Sequence, residues 1–216
     1  MNSTDVRRRW ADRSGAYSPE YYAYYGPNET SQVLREVLER RVGRTASVLE
    51  LGCSSGRHLA HLHDHGFENL AGIDLNSQSF AVMADAYPDL AAAGEFSEAA
   101  IEDVVEDFET DRFDAVYSVE TLQHLHPDAE WVFDELARIV ADTLVTAEIE
   151  REPGESNADR ERADETDVSY VDDEFPLYYR DWNAVFTDRG FVEVDATATR
   201  RDRVRTFRRA DSSDAR

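Results

Sequence analysis

The sequence contains no lysine, and its 23 basic residues are all arginine. Against them stand 46 acidic residues, so the formal net charge is −23 at pH 7. A surface with so many carboxylates repels polyanions at long range. The composition therefore argues against binding of nucleic acid, and against binding of an anionic membrane, by the surface as a whole.

The same imbalance is typical of proteins from salt-in halophiles, which are rich in acidic residues and poor in lysine. We expect self-repulsion to weaken the fold in low salt, and salt to screen that repulsion. The alternative interpretation is an ordinary acidic protein whose basic residues are encoded with an arginine bias.

Cysteine is nearly absent as well. Because Cys53 is the single cysteine, no disulfide can form within the chain, which suits a reducing compartment. No stretch approaches the roughly 18 apolar residues of a membrane-spanning helix. The first residues lack the apolar run of a signal peptide. We therefore expect a cytoplasmic protein without a membrane partner; its oligomeric state cannot be read from the sequence.

What is present is a regular alternation of short apolar runs and amphipathic segments. The predicted strands are 46–51, 70–74, 91–100, 113–119, 143–149, 191–196 and 204–207, and the predicted helices are 31–41, 57–65, 77–87, 102–108, 127–139 and 182–189. These strands are too apolar to have a solvent-exposed face, which indicates a parallel sheet covered by helices on both faces. We expect an α/β, doubly wound, mostly parallel sheet whose last two strands form an antiparallel hairpin.

The 216 residues suffice for one ordinary domain with its own core. Residues 1–45 are predicted as an N-terminal cap, Tyr-rich and irregular up to residue 30, followed by the helix at 31–41. Residues 46–209 form the main domain. Within it, residues 151–176 are predicted as an acidic loop or lid, because 151–174 contain ten carboxylates and three arginines. Residues 210–216 are predicted to be a disordered tail.

The most informative segment is a glycine-rich turn, Gly52-Cys53-Ser54-Ser55-Gly56, which lies between a predicted strand and a predicted helix. Glycines let the backbone approach a ligand closely, and the helix N-terminus offers free amides. Asp74 ends the next strand, about 20 residues on, where a carboxylate grips a ribose in nucleotide-binding sheets. The sequence therefore predicts a nucleotide site outside the carboxyl ends of the strands.

Four segments in this order resemble the motifs of class I S-adenosylmethionine-dependent methyltransferases, over roughly residues 46–150. They are Glu50-Leu-Gly-Cys-Ser-Ser-Gly56, Asp74, Ala100-Ile-Glu-Asp103, and Phe113 to Glu120 with the following Leu122-Gln-His-Leu125. The resemblance implies the Rossmann-like fold of that family. It also implies S-adenosylmethionine as cofactor, S-adenosylhomocysteine as product, and in-line methyl transfer to an acceptor, most simply a small molecule.

The resemblance also implies the residues of the site. The cofactor pocket would comprise Glu50, Gly52, Cys53, Ser54, Gly56, Asp74, Leu75, Asn76, Ile101, Glu102, Ser118 and Val119. The first motif would shape the methionine end, Asp74 would bind the ribose, and Leu75 and Ile101 would enclose the adenine. His124 is the candidate general base. The alternative interpretation is that its side chain only packs against the loop after the fourth strand.

The chain departs from the family pattern at three places. Ser54 stands where the family has the middle glycine, and Ala100 stands where an aspartate often binds the adenine amino group. That amino group would then be bound by Glu102, Asp103 or backbone alone. The glycine-rich turn that usually precedes the fifth strand is missing.

Other functions are compatible with parts of the pattern. A non-catalytic cofactor-binding or partner protein, or a methyltransferase acting on RNA or protein, would share the same motifs. An NAD-dependent dehydrogenase also needs a glycine-rich turn and a ribose acid, but its fingerprint is Gly-x-Gly-x-x-Gly, and this turn has glycine at 52 and 56 only. A Gly-x-Ser-x-Gly nucleophile elbow at Ser54 would need a histidine late in the chain, whereas the last one is His126.

Several other clusters have a plain structural interpretation beside a functional one. The four histidines of 58–65 are predicted as a solvated helix flank and not a metal site. Glu120, Glu148 and Glu150 are predicted to be substrate-facing or solvated, a metal site being the alternative. The arginines of 200–209 are predicted to pair with the acidic loop. The tyrosines of 17–25 are predicted either to pack in the core or to cover the site.

Overall fold

A computed structural model describes residues 2–150, 168–171, 175–200 and 202–210. The helices are α1 (Ser3–Ala11), α2 (Pro19–Tyr25), α3 (Glu29–Arg41), α4 (Arg57–Asp64), α5 (Ser79–Ala86), α6 (Pro88–Ala93), α7 (Ile101–Val104), α8 (Trp131–Ile139) and α9 (Trp182–Thr187). The strands are β1 (Ser47–Leu51), β2 (Asn69–Asp74), β3 (Glu95–Glu98), β4 (Phe113–Val119), β5 (Val140–Glu148), β6 (Val168–Val171), β7 (Phe175–Tyr178), β8 (Phe191–Ala198) and β9 (Arg203–Arg209). No helix in these ranges is long and apolar enough to cross a membrane.

Seven strands form one sheet in the order β3-β2-β1-β4-β5-β9-β8. The first five are parallel, while β9 runs antiparallel to both β5 and β8. The chain moves outward from β1 to β3 and then returns to β4, so the strand order reverses between β1 and β4. Ligands of such sheets bind at this reversal, beyond the carboxyl ends of the strands. The predicted fold class is confirmed, including the antiparallel hairpin.

The sheet is covered on both faces because β1 alternates its side chains between two apolar clusters. Val48 packs in one cluster with Leu34 and Leu38 of α3, and Leu49 packs in the other with Phe133 of α8. Each fully buried side chain of this size contributes about 1.5–3 kcal/mol relative to exposure. The residues of α3 therefore share a core with the central strands. The boundary between cap and main domain stays a prediction.

The N-terminal segment is more regular than predicted. Residues expected to be irregular form α1 and α2, whose N-caps are Asn2 and Ser18; each cap side chain accepts a hydrogen bond from a backbone N–H three residues on. In α1 the only buried residue is Val6. The helix therefore lacks the apolar stripe on which helix prediction depends.

Two other predictions need correction. Residues 91–93 were predicted to begin the third strand, but they belong to α6, which starts at Pro88, where the missing N–H costs nothing. Part of the predicted acidic loop is a second sheet, formed by β6 and β7, and Phe175, Leu177 and Tyr178 are buried. Residues 151–167 and 172–174 of that loop, and the tail at 211–216, lie outside the described residues.

The turn after β1 touches the loop after β4, and this contact depends on glycine. Gly52 has φ +67°, and a Cβ there would overlap the side chain of Thr121. Gly190 has a similar φ of +85° with nothing within 4 Å of the position of a Cβ. The two glycines therefore share one backbone conformation but differ in the space around them.

We expect Gly52→Ala to cost about 2–4 kcal/mol of unfolding free energy, and Gly190→Ala about 1–2 kcal/mol. Both alanines adopt a left-handed conformation, but only the first also displaces Thr121. Urea unfolding of the two variants and the parent protein measures the difference. Equal losses would show that the turn and the loop are not in close contact.

Candidate functional site

A cavity opens at the carboxyl ends of β1, β2 and β4, under α1. Its empty space, together with the open solvent at its mouth, is about 1090 Å³. It is lined by ten of the twelve predicted cofactor residues and by the predicted base: Glu50, Gly52, Cys53, Ser54, Asp74, Leu75, Asn76, Ile101, Glu102, Val119 and His124. The topology therefore brings together residues that are up to 74 positions apart.

Gly56 and Ser118 are not among the lining residues. Gly56 precedes α4 with φ +79°, and a Cβ there would meet the Met83 side chain at 2.7 Å. Its role is to let the turn pack closely. Ser118 is fully buried, and its hydroxyl donates to Glu148 behind the cavity wall.

Asp74 is fixed by three hydrogen bonds. Its Oδ1 accepts from the Asn76 amide and from the Ser79 hydroxyl, both at 2.8 Å, and its Oδ2 accepts from the Ser54 amide at 2.8 Å. Burial raises the pKa of this carboxyl, while the three donors lower it. Since Oδ1 already accepts twice, Oδ2 is the oxygen with the greater remaining capacity for a ligand hydroxyl.

Ser54 explains how the turn tolerates the missing glycine. Its φ is +49°, in the left-handed region that glycine usually occupies. That conformation directs its amide toward Asp74, so the substitution keeps the geometry of the turn at the cost of some backbone strain.

Glu50 is a buried carboxylate at the edge of the cavity. It is 1% exposed, and the Tyr117 hydroxyl donates to its Oε2 at 3.0 Å. Burial raises the pKa of Glu50 well above its usual range, whereas Tyr117 and the nearby Arg57 guanidinium lower it. A cationic group of a ligand at this point would favour the ionised form.

His124 is held in one tautomer. Its Nδ1 lies 2.8 Å from the carbonyl oxygen of Pro176, and because a carbonyl can only accept, Nδ1 carries the proton. The lone pair is then on Nε2. Burial lowers the pKa of the imidazole to about 4, so the ring is neutral, and Nε2 is an acceptor, throughout the neutral range.

The Asn76 side chain makes hydrogen bonds to the N-terminal segment that the sequence did not suggest. Its side-chain Nδ2 donates to the carbonyls of Trp10 at 3.3 Å and Arg13 at 3.0 Å. It thereby ties the N-terminal segment to the tip of β2. A second tie is the ion pair of Arg7 with Asp103.

The N-terminal segment supplies cavity residues that sequence reasoning missed or left open. Trp10 was not singled out; its ring lies 4.6 Å from His124 and 4.3 Å from Phe175, centroid to centroid. Tyr17 and Tyr22 line the cavity, whereas Tyr24 is 84% exposed. The only feature of the sequence that could have pointed to these cavity residues is the presence of aromatic residues within an arginine-rich segment.

The environment of Glu148 differs from its prediction, which was a substrate-facing or solvated carboxylate with a metal ligand as the alternative. It is fully buried and accepts from the amides of Thr121 (3.3 Å), Leu122 (3.1 Å) and Gln123 (3.3 Å), besides Ser118. Burial raises its pKa to about 7. Glu148 thus fixes the 3-10 turn Leu122–His124, which carries the predicted base.

One histidine differs from its prediction: His58 is buried and not solvated, and its Nδ1 lies 2.8 Å from the Ser31 hydroxyl. Arg205 pairs with Glu150 and Glu193, so Glu150 is an ion-pair partner. The predicted pairing of the arginines with residues 151–167 and 172–174 lies outside the described residues. Among the residues that the structure describes, no group of three or more His, Cys, Asp or Glu side chains could bind a metal ion.

Comparisons with known proteins agree with this arrangement. Residues 48–143 match the model of a family described as "Methyltransferase domain". The comparison with curated proteins gave no match.

Three solved structures illustrate the similarity of fold. The 1,6-didemethyltoxoflavin-N1-methyltransferase of Burkholderia thailandensis, with 1,6-didemethyltoxoflavin and S-adenosylhomocysteine bound, has a TM-score of 0.68 at 17% identity, covering 97% of this chain and 87% of that one. The magnesium protoporphyrin IX methyltransferase of Synechocystis PCC 6803, with S-adenosylmethionine bound, has a TM-score of 0.61 at 16% identity (96% and 90%). The [4+2]-cyclase SpnF has a TM-score of 0.60 at 15% identity (87% and 65%). These likenesses show the fold alone, and the cyclase shows that the fold by itself does not determine the reaction.

The raised pKa of Glu148 predicts a pH-dependent stability. The folded protein keeps this proton up to about pH 7, whereas the unfolded chain releases it near 4.5. Between these values the unfolded state binds fewer protons, so stability falls as pH rises. Relative to Glu148→Gln, the parent protein should lose about 3 kcal/mol between pH 4.5 and 7.5.

Denaturant unfolding of both proteins across this range measures the effect, with the exposed Glu68→Gln as the matched control. Replacing an acceptor oxygen by an NH₂ group changes the unfolding free energy of Glu148→Gln by a similar amount at every pH. The readout is therefore how the difference in unfolding free energy between the parent protein and Glu148→Gln changes with pH. Curves that stay parallel would contradict the buried proton.

Proposed function

We propose that this chain, whose residues 48–143 match the model of a family described as "Methyltransferase domain", is a class I S-adenosylmethionine-dependent methyltransferase that acts on a small-molecule acceptor. The observation that carries the proposal is the joint position of Glu50, Ser54 and Asp74 in one cavity. The strand reversal between β1 and β4 creates that cavity, and the fold of the chain is the Rossmann-like fold of methyltransferases.

The residues present suit this cofactor. Asp74 offers Oδ2 to a ribose hydroxyl, and Leu75 and Ile101 offer apolar surface to the adenine. Glu50 is a desolvated carboxylate on the cavity wall, so a ligand that brings an ammonium or sulfonium would supply the missing positive charge. Arg57 also lines the cavity and can face a ligand carboxylate.

The reaction needs little more than positioning. The cofactor would supply a methyl group on a sulfonium, which is already a good leaving group. The chain's part is then to align the acceptor with that methyl group and to exclude water. A base is needed only when the nucleophile carries a proton, and His124 Nε2 is the lone pair available for it.

No observation favours a dehydrogenase. The turn after β1 has glycine at 52 and 56 alone, and Ser54 already makes the bend by adopting a positive φ. The glycine that would permit the closest helix–pyrophosphate approach in a dinucleotide site is absent.

Asp74→Asn should weaken S-adenosylmethionine and S-adenosylhomocysteine binding at least tenfold, because an amide presents a donor where the ribose hydroxyl and the Ser54 amide both need an acceptor. Calorimetric titration in multimolar KCl measures this. Asp85→Asn, exposed on α5, removes the same charge outside the cavity and should leave the affinity unchanged.

Titration of the parent protein with S-adenosylmethionine, S-adenosylhomocysteine, NAD and NADP tests the assignment itself. Micromolar binding of the first two alone supports the proposal. Binding of NAD or NADP instead would overturn it, and binding of none of the four would also count against it.

A further inference from the structure

One residue of the cavity wall, Trp10, has a polar side-chain atom for which the described residues provide no hydrogen-bond partner. Trp10 lines the cavity, and its indole Nε1 is buried without a hydrogen-bond partner. A buried N–H without an acceptor is costly, and native structures rarely keep one without a reason. A ligand atom with a lone pair would remove the cost.

A complementary atom lies beside it. The rings of Trp10 and His124 are 4.6 Å apart, centroid to centroid. Because Pro176 fixes the proton of His124 on Nδ1, its Nε2 is a hydrogen-bond acceptor. Neighbouring rings of the cavity region therefore offer one donor and one acceptor, both on planar side chains.

The surroundings of this pair are flat and aromatic. Phe175, which supports the cavity wall from outside the lining residues, packs against Trp10 with ring centroids 4.3 Å apart, and the Arg13 guanidinium lies over the rings of Phe175 and Tyr17 at 4.7 and 5.7 Å. Planar surfaces stack best on planar ligands, and such stacking adds about 0.5–1.5 kcal/mol to the burial of area.

We propose, resting on the function proposed above, that the methyl acceptor is an uncharged, hydroxylated aromatic or heteroaromatic molecule. Its hydroxyl donates to His124 Nε2, and a second atom, a ring nitrogen or carbonyl oxygen, accepts from Trp10 Nε1. The Trp10 and His124 rings thereby select methyl acceptors in which a hydrogen-bond donor and a hydrogen-bond acceptor lie on one planar ring system.

The chemistry of the step agrees with this class. The hydroxyl oxygen forms the new O–C bond, the C–S bond of the sulfonium breaks with its electron pair returning to sulfur, and the hydroxyl proton passes to His124 Nε2. With its pKa near 4, the imidazole is a weak base. It therefore suits an aromatic hydroxyl, with a pKa near 10 like that of tyrosine, far better than an aliphatic one nearer the 15.7 of water.

The test uses two hydroxyquinolines, the 3- and 8-isomers, each with its carbon isostere, 2-naphthol and 1-naphthol, and decahydro-2-naphthol as the saturated control. Formation of S-adenosylhomocysteine gives kcat/KM for each compound with the full chain. We expect at least one hydroxyquinoline to exceed its naphthol about tenfold, because the naphthol leaves Trp10 Nε1 unpaired, and the saturated alcohol to give no product.

Trp10→Phe keeps an aromatic side chain, with a smaller ring, but removes the N–H donor, so it should abolish the preference for the hydroxyquinoline. Trp131→Phe, which changes a tryptophan that is 39% exposed and outside the cavity, should preserve it. His124→Gln should lower kcat more than it alters KM. Since Trp10 Nε1 has no partner to lose, Trp10→Phe should unfold near the temperature of the parent protein.

Three results would overturn the inference. These are turnover of the saturated alcohol at a comparable rate, a hydroxyquinoline preference that survives in Trp10→Phe, and no turnover of any aromatic compound by a protein that binds S-adenosylmethionine. The last leaves the proposed function intact. A protein that binds neither S-adenosylmethionine nor S-adenosylhomocysteine refutes the proposed function instead, so the two failures are distinguishable.

Discussion

The carboxylate of Asp74 is the interaction on which the rest of the site depends. It fixes the Ser54 amide in the turn after β1, and the Asn76 amide and Ser79 hydroxyl at the start of α5. Asn76 in turn donates to the carbonyls of Trp10 and Arg13. One buried carboxylate therefore connects the floor of the cavity to the segment that covers it, and the position of Trp10 follows from it.

A second buried carboxylate organises the opposite wall. Glu148 accepts three backbone amides of the loop after β4, and this loop presents His124 to the cavity. Arg180 donates to the carbonyl of Leu125 in the same loop at 2.7 Å. Backbone groups that would otherwise be unpaired are thus satisfied by side chains from β5 and from the segment after β7, which makes the loop a rigid support.

Much of the fold could be predicted because its signals are local. The apolar runs of β1 and β4 and the stripe of α3 were visible in the sequence, and Gly52 marked the turn. The edge strand β3 and the hairpin of β8 and β9 were also anticipated. Two helices at the N-terminus were missed because α1 buries only Val6, and β7 was missed because its pairing partner lies beyond an acidic run. In the site, Asp74 was predicted from its spacing after the glycine-rich turn and His124 from the resemblance to the family motif, and both line the cavity. Trp10 was not predicted, since nothing in its neighbourhood of arginines indicates which surface it covers.

The sequence by itself determined the alternation of strands and helices, the glycine-rich turn and the carboxylate that follows the next strand, because each of these depends on residues close together in the chain. Only the tertiary structure decided what distant residues do to one another. It buried Glu148, which the sequence suggested to be near solvent, and thereby raised its pKa to about 7. It also fixed the tautomer of His124 through Pro176, 52 residues away, and placed Trp10 against that ring. Burial and hydrogen-bond partners are properties of the packed chain, and they determine which of the recognisable residues can bind, donate or accept.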